Sequence, residues 1–160
     1  MQSDGSQEVA VSSPAAESTL SVRVRGLLAA TACIAVLAVG AWLQPRGSGF
    51  GTHTQLGLPT CSMLVTTGYP CPGCGLTTSV SMTMHGRLGE ALYAQPFGVI
   101  LALALMVLGI IGLCEVVTGR SQFSRVGVSW WWLAWAGAAM LAGWGVKLVL
   151  GVSSGQLPIR

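Results

Sequence analysis

Three long apolar runs organise this chain. No Lys, Arg, Asp or Glu occurs from Gly26 to Pro45, from Ala91 to Cys114, or from Val126 to Val146. Each gap approaches the roughly 20 residues a helix needs to cross about 30 Å of hydrocarbon. The spans fall at 27–43 ("LLAATACIAVLAVGAWL"), 96–117 ("PFGVILALALMVLGIIGLCEVV") and 128–150 ("VSWWWLAWAGAAMLAGWGVKLVL"). Pro96 suits the first turn of its helix, where a missing N–H costs nothing. Trp130, Trp131, Trp132 and Trp135 crowd the entry of the third span, as interfacial indoles do. Lys147, near the far end, is expected to snorkel outward. Small residues at helical spacing, Ala134, Ala138 and Ala142 in the third span and Ala29 and Cys33 in the first, allow close helix approach. Cys33 and Cys114 read as small buried hydrophobes, and Glu115 as an interfacial carboxylate, paired or solvated.

The flanks are polar. Residues 1–22 read as a disordered, Ser-rich tail and residues 151–160 as a short C-terminal tail. A cleaved signal peptide competes for the first run, but seventeen apolar or small residues are long for one, and no small-x-small site follows "AWLQPRG". An uncleaved anchor is the reading adopted. Arg23 and Arg25 directly before it favour a cytoplasmic amino terminus, which puts the following loop outside. The fold class is thus an all-α membrane protein with three transmembrane helices and a short interfacial or re-entrant helix in the first loop. A multi-pass protein of the bacterial inner membrane is the matching location.

Composition narrows the function. Charged residues make up 8% of the chain, against about 25% in soluble domains, and mean hydropathy is +0.67. The net charge of +3 forms no cluster, so no nucleic acid partner is expected. The partners implied are the lipid bilayer and another membrane protein.

The loop of residues 44–95 is unusual, because no charge occurs from Gly47 to Gly86. Its apolar pieces, 61–69 and 76–84, are too short to span, and suit segments covered by protein. The second predicts a short helix at about 76–85, with Leu76, Val80 and Met84 on one face and Gly86 ending it. Just before it lies "CPGC". Pro72 fixes one φ angle, and Gly73 and Gly75 supply conformations that a side chain would resist. This spacing places Cys74 at a helix amino terminus, where the dipole favours thiolate.

The string from Cys61 to Pro96 also resembles the bacterial membrane family called domain of unknown function 2752. The shared pattern falls on Cys61, Cys71, Pro72, Cys74, Gly75, Thr77, His85, Gly86, Ala91 and Pro96. Two positions depart from it: Thr78 stands where the family usually has Arg, and Gln95 where it commonly has Asn. Arg87 is the nearest substitute in sequence for that Arg. The family has no established activity, so the resemblance implies architecture and leaves chemistry open.

Three functional readings follow. In one, Cys61, Cys71, Cys74 and His85 ligate a metal, zinc by donor type, with Met63, Met82 and Met84 near enough to suit Cu(I). In another, Cys71 and Cys74 cycle as a redox dithiol with Cys61 resolving, although no thioredoxin-like pattern surrounds them. In the third, which the sequence favours, the turn built on Pro72, Gly73, Gly75, Gly86 and Pro96 belongs to a structural or partner-binding membrane component. No catalytic residue is assigned. No Asp or Glu between Gly47 and Arg87 could orient a His, no glycine motif cradles phosphate, and His53 reads as a polar loop residue.

Overall fold

The computed structural model describes residues 18–123, 130–155 and 157. Among them the fold is all-α, and no β-strand occurs. Helix α1 spans Thr19–Trp42, a 3₁₀ turn Thr52–Leu56, α2 Ser62–Thr67, α3 Leu76–Met84, α4 Leu88–Ala94, α5 Pro96–Thr118 and α6 Trp130–Ser153. Three of these, α1, α5 and α6, are long and apolar enough to cross a membrane. They leave Leu28, Ile110 and Leu133 largely exposed, an arrangement that suits lipid as the surrounding solvent. This is a multi-pass membrane protein.

Helix α1 begins inside the stretch read as an amino-terminal tail, because Ser18 caps it by accepting from the Ser21 N–H at 3.3 Å. Residues 1–17 of that tail lie outside the described residues. Helix α6 runs to Ser153, into the stretch read as a C-terminal tail. The start of the third predicted span, 128–129, and residues 156 and 158–160 also lie outside the described residues.

Helices α1 and α5 run antiparallel in close contact. In lipid, such pairs are held by packing, with little hydrophobic drive between them, so small residues set how near the axes come. Gly26, Ala30 and Cys33 form the buried stripe of α1. A Cβ on Gly26 would lie 2.7 Å from the Gly112 carbonyl oxygen, and one on Gly112 would lie 2.8 Å from the Gly26 oxygen. Ala29, expected in this stripe, lies beside it. Ala134, Ala138 and Ala142 are exposed. In α6 it is Gly143, packed against Pro96 and Gln95, and Gly151, packed against Leu157, that are buried. Cys33 is buried as expected, whereas Cys114 is exposed, because it lies off the face that α5 turns to α1.

Glu115 also departs from expectation. It is fully buried, not interfacial. Its Oε1 accepts from Arg25 Nη2 of α1 at 3.3 Å and from the backbone N–H groups of Gln122 and Phe123 at 2.5 and 2.8 Å. The pair ties α1 to the chain leaving α5, at the end of the bundle opposite the cysteine loop.

At the loop end, α3 is wedged between helix termini. Thr78, Ser79, Ser81 and Thr83 are all buried, and each hydroxyl has a partner. Ser81 Oγ donates to the Leu43 carbonyl at the end of α1, at 2.7 Å. Ser79 Oγ reaches the carbonyls of Ala91 and Gln95, at 2.9 and 2.8 Å. Thr78 Oγ1 donates to Thr52 Oγ1 at 2.8 Å, and Thr83 Oγ1 to the Ser79 carbonyl at 2.8 Å. The Leu43 carbonyl at the end of α1 is thus satisfied by a buried hydroxyl-rich helix, while the Ala91 and Gln95 carbonyls, which already accept from the Gln95 and Gly98 N–H groups, gain a second donor. The face of Leu76, Val80 and Met84 meets α1, where Gly40 admits Val80.

Gly112→Val should cost about 1–3 kcal/mol by overpacking the α1–α5 contact. Gly137→Val, at a position with nothing within 4 Å of an added Cβ, should change stability by less than about 0.5 kcal/mol. Thermal unfolding of both variants in one detergent checks this, and equal midpoints would contradict the packing described.

Candidate metal centre

The segment 69–76 turns twice in eight residues. The Cys74 N–H donates to the Cys71 carbonyl at 2.9 Å, closing a β-turn over Pro72 and Gly73, and the Leu76 N–H donates to Gly73 at 3.2 Å. Gly73 does not adopt the left-handed conformation expected of it, and an added Cβ there would meet nothing within 4 Å. Gly75 is the demanding position. Its φ is +95°, and a Cβ would lie 2.7 Å from both the Ala94 oxygen and Lys147 Nζ, and 2.8 Å from the Gly49 oxygen.

The carbonyls of this segment are held from outside. Trp144 Nε1 donates to the Pro70 oxygen at 2.8 Å, Gln95 Nε2 to Pro72 at 3.3 Å, and Lys147 Nζ to Cys74 at 3.3 Å. Lys147 also donates to the Gly49 oxygen at 3.3 Å and stands 5.4 Å from the Phe50 ring centre. Lys147 therefore turns inward onto the cysteine loop and does not snorkel away. Its neighbourhood of backbone acceptors explains this, since an ammonium on an apolar helix goes where carbonyls can receive its protons. Gln95 is fully buried and bridges to α6 through the Met140 carbonyl at 3.4 Å.

The clamp brings three thiols together. The sulfurs of Cys61, Cys71 and Cys74 all lie within 4.8 Å of one another. Cys71 and Cys74 are 3.3 Å apart as free thiols. Cys61 arrives from the start of α2, the residue before Ser62. His85 does not join them. It ends α3, about 15 Å of helix rise from Gly75, and its Nδ1 lies 2.8 Å from the Ser81 carbonyl. Nor does the structure place Met82 or Met84 here: Met82 belongs to the core with Ala91, Ala94 and Val99, and Met84 faces Gly40 of α1.

The thiols are electrostatically unequal. The Leu64 N–H, assisted by the two neighbouring thiols, pulls Cys61 down to about 7 against the opposing effect of burial. Burial, reinforced by Cys71 and Cys61, pushes Cys74 up to about 12. The thiol poised for ionisation is therefore Cys61 and not Cys74. The helix after Cys74 starts at Leu76 with Gly75 as its cap, so the residue's desolvation outweighs any benefit from the dipole.

Two cations flank this centre. Lys147 approaches through the Cys74 carbonyl. Arg46 borders a chamber of about 160 Å³ whose wall also includes Cys61, Cys74 and His53. No carboxylate exists in the chain between Ser18 and Gly89. Arg87, the nearest arginine in sequence to Thr78, instead pairs with Glu90 on the surface, while Thr78 is buried against Thr52. Lys147 was detectable in the sequence as the lone charge between Trp130 and Ser153. Arg46 and Trp144 gave no such signal.

Searches of curated proteins and of solved structures find no match. A family model does match: residues 61–109, which hold all three clustered cysteines and the first part of α5, correspond to the family described as "Protein of unknown function (DUF2752)", the family whose motif the sequence displays.

Proposed function

We propose that this membrane protein binds a soft metal ion, zinc or Cu(I), through the thiolates of Cys61, Cys71 and Cys74. One observation carries the reading: Cys61, ten residues before Cys71, meets the Cys-Pro-Gly-Cys turn within 4.8 Å. A packed turn has no need of a third sulfur there, whereas three sulfurs gathered at one point suit a shared ion. Tetrahedral zinc at about 2.3 Å from each sulfur sets sulfurs about 3.8 Å apart. The cluster fits this after Cys71 and Cys74 open slightly from 3.3 Å.

Charge supports the same reading. Three thiolates and Zn²⁺ leave one negative charge, and the cations Arg46 and Lys147 stand beside the cluster. Among the described residues, no fourth Cys, His, Asp or Glu joins the cluster. Three protein ligands with an open position characterise exchangeable or reactive metal sites, unlike closed structural ones. We place the centre at the extracytoplasmic face of a bacterial inner membrane, since Arg23 and Arg25 mark the opposite end of α1.

Purified wild-type protein should carry close to one equivalent of zinc or copper by elemental analysis. Cys61→Ser, Cys71→Ser and Cys74→Ser should each lose most of it, about tenfold or more in affinity, and His85→Ala should keep it. Equal, negligible metal in all five proteins would remove this reading. Reversible loss of the Cys71 and Cys74 thiols on redox titration would then support the dithiol reading, which their 3.3 Å separation favours. Neither metal nor titratable thiols would leave the membrane scaffold.

A thiol becomes nucleophilic as it ionises, so reactivity must rise through each group's pKa. In the metal-free protein, alkylation of Cys61 by an impermeant maleimide should reach half its plateau rate near pH 7, and Cys74 should stay inert through pH 9. Mass spectrometry of the labelled peptides checks the order. Faster labelling of Cys74 would contradict it, and labelling in intact cells tests the side of the membrane.

A further inference from the structure

The chamber beside the thiols has a chemistry of its own. It encloses about 160 Å³, the liquid volume of about five waters. Cys61 and Cys74 form part of its wall, Phe50 and Leu64 its apolar side, and Arg46, His53 and Thr60 its polar side, while the Ser48 and Thr54 hydroxyls are spent on the Phe50 and Gly51 carbonyls at 3.0 and 2.8 Å. The chain offers no acid between Ser18 and Gly89 to occupy that guanidinium. Among the described residues, Arg46 is held by its backbone alone, its N–H donating to Thr52 Oγ1 at 3.3 Å. His53 Nε2 is engaged by the Pro59 carbonyl at 3.2 Å, which leaves Arg46 as the uncommitted charge.

We propose that this chamber binds a small thiol bearing a carboxylate. Its sulfur takes the fourth position on the metal, and its carboxylate takes Arg46. The inference rests on the metal reading above and adds the ligand class. A metal already bound by soft donors favours a fourth soft donor. A planar guanidinium receives a carboxylate through two parallel hydrogen bonds. Both features border one space large enough for a molecule of a few heavy atoms. Binding is a ligand substitution: the thiol loses its proton to solvent, its sulfur replaces water on the metal, and no electron moves.

The test uses the full chain in detergent, loaded with Co²⁺ in place of the native ion. Cobalt held by three thiolates gives ligand-field and sulfur-to-metal absorption bands that respond to a fourth donor. Thioglycolate should shift those bands at concentrations about tenfold below those required by 2-mercaptoethanol, which lacks the carboxylate. Arg46→Gln, compared with wild type at matched cobalt occupancy, should bring the two thiols to within about twofold of each other. Arg46→Lys should keep part of the preference. Cobalt bands that respond to neither thiol would overturn the chamber proposal and leave the metal reading standing. A wild-type protein that prefers neither thiol, or a preference that survives Arg46→Gln, would overturn it as well. A chain that takes up no cobalt would overturn both.

Discussion

Irregular backbone beside lipid is tolerated only where every polar group finds a partner within the protein. The cysteine loop meets that constraint at alternate residues. The carbonyls of Pro70, Pro72 and Cys74 accept from Trp144, Gln95 and Lys147, while the Cys71 carbonyl is used inside the turn. Alternation of this kind leaves Cys71, between two held carbonyls, a defined direction for its side chain. The clamp thus does two things at once. It pairs the polar groups of a non-helical segment within the protein, and it fixes where the sulfurs point.

The same constraint explains the hydroxyl-rich composition of α3. A helix carrying Thr78, Ser79, Ser81 and Thr83 looks too polar to be buried, yet each hydroxyl has a partner, and Ser81 supplies the donor for the Leu43 carbonyl at the end of α1. An apolar replacement of Ser81 would leave the Leu43 carbonyl without that donor, at about 1–3 kcal/mol. Gly98 completes the fit, since a Cβ there would come within 2.6 Å of Ser79. The site is therefore built on a rigid polar plug at one end of the α1–α5 pair, with Glu115 and Arg25 locking the other.

The three spanning helices were legible because hydropathy over about 20 residues is a local property. The motif resemblance was legible because its residues lie close in sequence. What escaped depended on three-dimensional neighbours. Lys147 reads as a snorkelling residue until the carbonyls of Gly49 and Cys74 are seen above it. His85 reads as a ligand by its spacing, but a nine-residue helix carries it away from the sulfurs. Cys74 reads as the activated thiol by its place before a helix, yet that thiol is buried, with Cys61 from a distant part of the loop beside it, which no local pattern reveals. Ala134, Ala138 and Ala142 show the converse error, since helical spacing of small residues records a possible contact, and α6 makes its contact through Gly143 instead.

The inequality of the thiols bears on how such a centre would fill. Metal binding requires thiolates and expels their protons. Cys61, pulled down to about 7, offers the first donor. Cys74 gives up its proton only when the cation replaces the stabilisation that burial removed, so the buried thiol becomes the late and selective step. A cation that binds sulfur weakly would drive that step less readily than zinc or copper. Selectivity for soft metals would then come from the depth of one cysteine and not from the number of ligands, and the backbone clamp on Cys74 is what keeps it deep.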